Sequence, residues 1–167
     1  FAAMLDVPGF NYRAHRYEEA YERLPQNLVL GSETSSTVSS RGVYHFPVEK
    51  KADVITADHQ SSIYDLEDCS WSNIPDVDLA LAEDHEWTLG QFVWTGFDYL
   101  GEPSPYDTDA WPNHSSMFGI IDLASIPKDR FYLYRSVWNK KQPTLWALPH
   151  WTWQGREGEV TPVFVYT

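Results

Sequence analysis

The stretch from Asn27 to Glu33, NLVLGSE, constrains the fold most, because its apolar residues are continuous rather than alternating. A strand that is covered on both faces has this pattern, and such strands occur in parallel sheets. The preceding residues, HRYEEAYERLPQN, place apolar side chains at helical spacing and stop at Pro25, which predicts a helix. Before them, FAAMLDVPGFNYR holds a short apolar run ending in Pro8-Gly9, which predicts a buried strand and its exit loop. Strand, helix and strand in this order predict a parallel unit.

Two helices and a third strand are predicted further along the chain. PDVDLALAEDHEW begins with Pro75 in the first helical turn and has acidic residues beside it, which favour a helix N-terminus. GQFVWTGFDY is strongly β-prone, and IPKDRFYLYRSVW places Phe131, Tyr134 and Trp138 on one helical stripe. Thr34–Ser72 lies between the second predicted strand and the helix that begins at Pro75. It has little periodicity and predicts a long loop, either functional or poorly ordered.

The pattern of apolar and polar residues changes at Pro143. From there, TLWALPHWTWQGREGEVTPVFVYT alternates around a Gly-rich turn, which is typical of an antiparallel hairpin, and Trp151 and Trp153 are expected to fill a core. We therefore expect a domain boundary near Lys140–Pro143. A parallel sheet of so few strands cannot cover both its faces well. Because a closed eight-stranded barrel needs about 250 residues, we expect this α/β chain to supply only the last part of one.

Composition favours a carbohydrate partner and argues against several others. Twelve Lys and Arg against 24 Asp and Glu give a net charge of −12, which disfavours nucleic acid and anionic membrane surfaces. No apolar run approaches the roughly 20 residues that span a bilayer. Trp, Tyr and Phe make up 16% of the chain. Flat aromatic rings suit the C–H faces of sugars, although the same rings also fill ordinary cores.

The sequence predicts neither a metal site nor a cofactor. Its six His residues lack zinc-binding spacing, and the acidic stretch Asp65–Asp68 lacks a Ca²⁺-loop pattern and is expected on the solvated surface. Cys69 is the only cysteine, so we expect a small buried hydrophobic side chain rather than a nucleophile. The compartment, whether periplasmic or extracellular, and a homo-oligomer of the full-length protein are left open by the sequence.

Candidate reactive residues lie where the predicted strands end. In a barrel, function sits at the C-terminal ends of the strands, and these ends carry Asn11, Tyr12, Glu33 and then Trp94. A carboxylate can attack a sugar's anomeric carbon, a Tyr hydroxyl can orient it, and a Trp can form the floor under the ring. This set suits glycoside hydrolysis, although a Glu at a strand end also occurs in ordinary surface turns.

Several long motifs resemble those of family 2 glycoside hydrolases, the β-galactosidase group. LVLGSETSSTVSSRGVY and GQFVWTGFDYLGEPSPY resemble the nucleophile strand and the last barrel strand of that family. MFGIIDLASIPKDRFYLYRSVW is similar to the final barrel loop and helix, and LDVPGFNY to the strand before the nucleophile. The resemblance runs from Leu5 to Trp138. It implies that residues 1–140 are the C-terminal part of a (β/α)8 TIM-barrel catalytic domain and that 141–167 begin an antiparallel β-sandwich domain.

The same resemblance implies a retaining glycosidase that cleaves terminal β-galactosides. Glu33 matches the nucleophile that forms the covalent glycosyl–enzyme, and Tyr12 matches a tyrosine placed against it. Trp94 matches the last-strand Trp that lines the sugar subsite. Asn11 and Asp98 match more weakly, as residues that bind sugar hydroxyls or support the loops.

Two further residues and one absence complete the prediction. His45, in GVYHFP, follows the nucleophile loop and is either a substrate contact or a plain loop histidine. The family's acid/base is the Glu of an Asn-Glu pair, and this sequence contains no Asn-Glu dipeptide. Asp98 or Glu102 could lie close to Glu33, but no motif marks either as the acid. Since loss of acid assistance costs roughly 10²–10⁴-fold in rate, we expect residues 1–167 alone to be nearly inactive.

Three alternatives remain open from the sequence. One is a β-glucuronidase or β-mannosidase of the same family; TGFDYLGEPSPY favours galactosidase by resemblance, and a glucuronidase pocket needs basic groups that this rim lacks. A second is a non-catalytic carbohydrate-binding module, which would not need Glu33 at a strand end. A third is a structural or interaction fragment that no sugar affects.

Overall fold

The computed structural model describes residues 1–103, 111 and 113–167. In chain order its strands and α-helices are β1 Gly9–Asn11, α1 Tyr17–Arg23, β2 Val29–Thr34, β3 Lys51–Ala52, β4 Glu67–Asp68, α2 Pro75–Asp84, β5 Thr88–Val93, α3 Asp129–Trp138, β6 Trp146–Leu148 and β7 Phe164–Tyr166. Short 3-10 turns occupy Ala2–Met4 and Ala14–Arg16. In this part of the chain, no helix has both the length and the apolar character needed to cross a membrane.

The central feature is a parallel sheet with the strand order β1-β2-β5. Both strand pairs are parallel, and α1 connects β1 to β2, so the predicted strand–helix–strand unit is confirmed. The predictions of helices at α2 and α3 are confirmed as well, while the third strand begins at Thr88, two residues earlier than the β-prone run.

The first predicted strand was placed too early in the chain. Ala2–Met4 forms a 3-10 turn instead, and Met4 is 86% exposed. Ala and Met favour helical over extended backbone, so an apolar run of these residues is weak evidence for a strand. The strand itself begins at Gly9, after Pro8.

Helix α1 packs on the sheet through a small apolar cluster. Tyr17 and Ala20 of α1 bury against Val29 of β2, and Phe10 and Trp87 pack at the margin of this cluster. Gly31 allows the close approach, because a Cβ there would lie 2.7 Å from the Tyr17 hydroxyl.

The long segment after β2 is packed rather than loosely ordered. Thr34–Ser39 are all buried, and so are Ser61–Asp65 and Glu67–Cys69. The expectation that Asp65–Asp68 face solvent is therefore wrong: Asp65 is 4% and Asp68 1% exposed. Periodicity could not reveal this, since burial here rests on polar partners supplied by distant segments.

Arg130, in the first turn of α3, is the most heavily bonded of those partners and is fully buried. Its guanidinium donates to Asp65 at 2.9 Å, to the Ser39 hydroxyl at 2.6 Å, and to the backbone carbonyl oxygens of Thr37 and Phe118 at 2.6 and 3.2 Å. One side chain thus ties α3 to the segment after β2 and to the segment that precedes α3.

Lys128 makes a second buried connection two residues earlier. Its ammonium group contacts the Asp98 carboxylate at 2.8 Å and donates to the carbonyl oxygens of Ser39 and Met117 at 2.6 and 3.3 Å. Burial lowers the pKa of Lys128 to about 8, with Arg130 adding to the fall and Asp98 opposing it. Lys128 and Arg130, here called the buried cation pair, connect segments that are far apart in sequence.

The C-terminal segment folds back onto this assembly. β6 and β7 pair antiparallel, as the hairpin pattern predicts. Trp146 stacks on Tyr132 of α3 with ring centroids 3.6 Å apart, and its indole donates to Asp129 at 2.8 Å. Trp153 stacks on His150, but Trp151 is 75% exposed, so the expected core role fails for Trp151 because it lies outside the strand pair.

We predict that Arg130→Met lowers the free energy of unfolding by about 3–5 kcal/mol, because it leaves the Asp65 carboxylate buried without its counter-charge. Urea unfolding of the longest polypeptide that the gene encodes, here called the parent polypeptide, measures this. Arg23→Met is the control: its ion pair with Glu19 is exposed, so we expect a change within about 0.5 kcal/mol. Equal effects of the two variants would contradict a special role for Arg130.

Candidate active site

The predicted reactive residues meet at the carboxyl edge of the parallel sheet. Asn11 is the last residue of β1, Glu33 is the last residue but one of β2, and Trp94 directly follows β5. The pairing of β1 with β2 shifts after Phe10, so that Asn11 lies opposite Glu33 instead of Ser32. Such register shifts redirect side chains and are common beside active sites. The shift therefore makes Asn11 and Glu33 direct neighbours on adjacent strands.

Tyr12 and Glu33 form the closest polar pair of this edge. The Tyr12 hydroxyl donates to Glu33 Oε2 at 2.7 Å, and the Tyr12 backbone N–H donates to the Glu33 carbonyl oxygen at 2.9 Å. Tyr12 has a φ of 54°, a conformation uncommon for residues with a Cβ, and these two bonds hold it there. Burial raises the pKa of Tyr12, and Glu33 adds to the rise while Ser36 opposes it, so the phenol remains a donor.

Asn11 and Arg13 flank Tyr12 in the sequence. Ser32 Oγ donates to Asn11 Oδ1 at 2.7 Å, and Asn11 is otherwise exposed at the edge. Arg13 is also exposed, and its guanidinium donates to the Tyr12 carbonyl oxygen at 3.3 Å. The expectation that this rim holds no Arg or Lys is therefore wrong, because Arg13 directly follows Tyr12.

Trp71 is a member of the site that sequence reasoning missed. Its ring meets the Tyr12 ring edge to face with centroids 4.6 Å apart, and 45% of Trp71 is exposed. The available signal was an isolated aromatic residue between two Ser in CSWSN. Because the segment before α2 is irregular, nothing local indicated that Trp71 reaches the strand ends.

Trp94 is held by a short chain of hydrogen bonds. Its indole N–H donates to the Tyr99 hydroxyl at 3.3 Å, and that hydroxyl in turn donates to Glu102. The Trp94 and Tyr99 rings meet edge to face and pack against a core of Val38, Cys69, Met117 and Phe118. Burial raises the pKa of the Cys69 thiol to about 12, which fits the predicted role as a small buried side chain.

Asp98 is committed to loop support in this structure. Its carboxylate accepts from Lys128 and from the Gly119 backbone N–H at 2.7 Å, and Gly119 has no room for a Cβ. Burial raises the pKa of Asp98 and Lys128 opposes the rise. These contacts match the supporting role; sugar binding by Asp98 stays a prediction.

His45 contacts two acidic side chains of the segment after β2. Its Nε2 lies 2.9 Å from Asp58 Oδ2 and its Nδ1 lies 3.9 Å from Glu67 Oε1. Substrate contact by His45 stays a prediction. In the part of the chain that the structure describes, no group of three or more His, Cys, Asp or Glu side chains is placed to hold a metal ion.

The hydroxyl residues after Glu33 serve as anchors. Thr34 Oγ1 donates to Gln91 Oε1 at 2.7 Å, and the Ser35 N–H and hydroxyl both donate to the buried Asp78 of α2 at 3.1 and 2.8 Å. The Ser36 N–H donates to Ser72 Oγ at 2.8 Å. Small polar residues suit this stretch because their backbone and hydroxyl groups can be satisfied in a buried place.

Comparison with known proteins defines the class. No family model matches the chain. Over 91% of its length it is 39% identical to the β-galactosidase BoGH2A of Bacteroides ovatus, of which it covers 18%. Other relatives carry provisional names as β-glucuronidases.

Solved structures agree with the sequence comparison. A β-glycosidase from Bacteroides vulgatus matches 97% of the chain with a TM-score of 0.80 and 29% identity, and the chain covers 24% of it. A family 2 glycosyl hydrolase from Bacteroides cellulosilyticus shares the fold over 93% of the chain, with a TM-score of 0.56 and 24% identity; the chain covers 19% of it. The chain thus spans less than a quarter of each of these relatives. It belongs to the family 2 glycoside hydrolases and corresponds to one segment of their length.

We predict that Asp78→Ala destabilises the segment that follows Glu33, because it leaves the Ser35 N–H and hydroxyl buried without an acceptor. The free energy of unfolding should fall by about 1–3 kcal/mol for each of these two groups. Urea unfolding of the parent polypeptide measures the loss. Asp76→Ala removes an exposed carboxylate from the same helical turn and should lower the free energy of unfolding by no more than about 1 kcal/mol, through the lost interaction with the helix N-terminus. A loss no larger than that of Asp76→Ala would show that Asp78 does not anchor Ser35.

Proposed function

We propose that this chain supplies the nucleophile part of a retaining glycoside hydrolase that cleaves terminal β-galactosides. The observation that carries the proposal is the Tyr12–Glu33 pair at the carboxyl edge of a parallel sheet, with Trp71 and Trp94 beside it. The 39% identity to a β-galactosidase over 91% of the chain supports the same reaction.

The architecture that fits this role is the C-terminal part of a (β/α)8 barrel over residues 1–140, followed by the start of a β-sandwich over 141–167. Three adjacent parallel strands with helices between them support the barrel part. The antiparallel β6–β7 pair supports the change of architecture after α3. In barrels the reacting groups come from the ends of several strands, which matches the positions of Tyr12, Glu33 and Trp94.

In the proposed mechanism, Glu33 attacks the anomeric carbon of the bound galactoside. The bond to the aglycone oxygen breaks as the glycosyl ester forms, and a general acid protonates the leaving oxygen; water then hydrolyses the ester with that acid acting as base. Because Tyr12 donates to Glu33 Oε2, we assign the attack on the anomeric carbon to Oε1. The acid carboxyl, about 5–5.5 Å from the nucleophile in retaining enzymes, comes from outside this segment.

Two aromatic residues are proposed to bind the sugar. Trp71 contacts the Tyr12 ring and Trp94 follows β5 at the same sheet edge. Aromatic rings of this kind pack on the apolar C–H face of a hexose. Asn11, exposed at the same edge, is proposed to bind sugar hydroxyls. The buried cation pair is engaged away from solvent and offers no charge to a sugar carboxylate, which favours a galactoside over a glucuronide. Arg13, which is exposed, is the cation that opposes this preference.

Mechanism-based labelling tests the reaction, the residue and the sugar together. The parent polypeptide is treated with a 2-deoxy-2-fluoro-β-galactosyl reagent and digested with a protease, and the masses of its peptides are measured by mass spectrometry. We expect the label on the peptide that carries Glu33, and no label in Glu33→Gln. Glu22→Gln, an exposed change on α1, should label like the unaltered protein. A label on another peptide would overturn the assignment of Glu33, and reaction with only the glucuronyl or mannosyl reagent would overturn the sugar.

We predict that Tyr12→Phe lowers kcat/KM for an aryl β-galactoside by roughly 10- to 100-fold, because a hydrogen bond to a charged group contributes about 1.5–3 kcal/mol. Steady-state kinetics of the parent polypeptide measure the change. Tyr21→Phe is the matched control, since Tyr21 contacts Trp87 through its ring, and its kcat/KM should stay within about twofold. An unchanged kcat/KM in Tyr12→Phe would remove Tyr12 from the catalytic machinery.

A further inference from the structure

Glu102 is a second carboxylate attached to the site, and neither the proposed chemistry nor the sequence motifs give it a role. It is exposed, and one of its oxygens accepts from the Tyr99 hydroxyl. The direction of this bond follows from chemistry: an indole N–H only donates and a carboxylate only accepts, so the Tyr99 oxygen accepts from Trp94 and its proton goes to Glu102. Glu102 is therefore held through Tyr99 at a defined place near Trp94, one of the two aromatic residues proposed to bind the sugar.

The environment of Tyr99 links this carboxylate to the reacting centre. Burial raises the pKa of Tyr99 to about 12, and the carboxylates of Glu102 and Glu33 both add to the rise. Tyr99 thus lies within electrostatic range of both carboxylates and keeps its proton through the range in which enzymes work. The geometry agrees: the Trp94 backbone N–H donates to the carbonyl oxygen of Thr34 at 2.9 Å, so the chain from Trp94 through Tyr99 to Glu102 starts beside the residue that follows Glu33.

We propose that Glu102 selects the sugar by charge, accepting hydrogen bonds from the hydroxyls of a neutral hexoside and repelling a hexuronide. The inference rests on the proposed function and deepens it by naming a residue that excludes acidic sugars. Hydroxyl groups donate to a carboxylate, whereas the carboxylate of a uronic acid has no proton at neutral pH and meets a like charge. Discrimination by an introduced repulsion is a common source of specificity.

Arg13 is the competing charge, because it lies on the Tyr12 side of the same rim. Its described bond goes to the Tyr12 carbonyl oxygen. If Arg13 rather than Glu102 faced the sixth carbon of the sugar, the site would favour a uronic acid. The two residues therefore predict opposite preferences for one pair of ligands.

The test uses galactose and galacturonate, which differ only at the sixth carbon, as inhibitors of aryl β-galactoside hydrolysis by the parent polypeptide. We expect galacturonate to inhibit at least about tenfold more weakly than galactose. Glu102→Gln keeps an acceptor for Tyr99 and removes the charge, so the two inhibition constants should come within about threefold. Glu102→Asp keeps the charge and should retain the preference. Raising the salt concentration should narrow the preference in the unaltered protein but not in Glu102→Gln.

Controls separate this inference from the proposed function. Glu18→Gln, an exposed change on α1, should leave both inhibition constants unchanged. The inference is overturned if galacturonate binds as well as galactose, if Glu102→Gln leaves their ratio unchanged, or if Arg13→Gln is the variant that weakens galacturonate. Each of these results leaves the proposed reaction standing provided that Glu33 is still labelled. Loss of labelling at Glu33 overturns the proposed function instead.

Discussion

The buried cation pair is the constraint on which the rest of the structure depends. Arg130 and Lys128 lie at the start of α3 and donate to the carbonyl oxygens of Thr37, Ser39 and Phe118, three residues that are fully buried. Since an unpaired buried polar group costs free energy, the segment after β2 can pack inside only with these donors present. The cations in turn need buried carboxylates, which explains why Asp65 is inside.

This packing places the reactive edge. The segment that Arg130 and Asp78 hold begins immediately after Glu33, so the backbone that carries the nucleophile candidate is fixed on its C-terminal side. On the other side, the β1–β2 pairing fixes it against Tyr12. Glu33 is therefore held between a parallel ladder and a buried polar network. Such preorganisation is what a nucleophile needs to keep one oxygen directed at its target.

The helices were the most predictable elements, because their start and stop signals are local. Pro75 begins α2 and Pro25 follows α1, as the sequence indicates. The first strand was placed too early because an apolar run of Ala and Met does not distinguish a strand from a turn. Two placements agree with the sequence analysis, since Tyr12 bonds to Glu33 and Trp94 follows β5 at the same sheet edge, whereas Trp71 and Arg13 were missed. Trp71 reaches Tyr12 through an irregular segment, which no periodic pattern describes.

The sequence alone determined the parallel order of the strands, the helices between them, and the identity of the residues at the strand ends. These features follow from hydrophobic periodicity and local chain-stopping residues. Only the tertiary structure decided the register shift that brings Asn11 beside Glu33, the burial of the hydroxyl and acidic residues, and the connection from Trp94 through Tyr99 to Glu102. Each of these depends on partners far apart in the chain, and a polar residue shows no sign of its partner until the chain has folded.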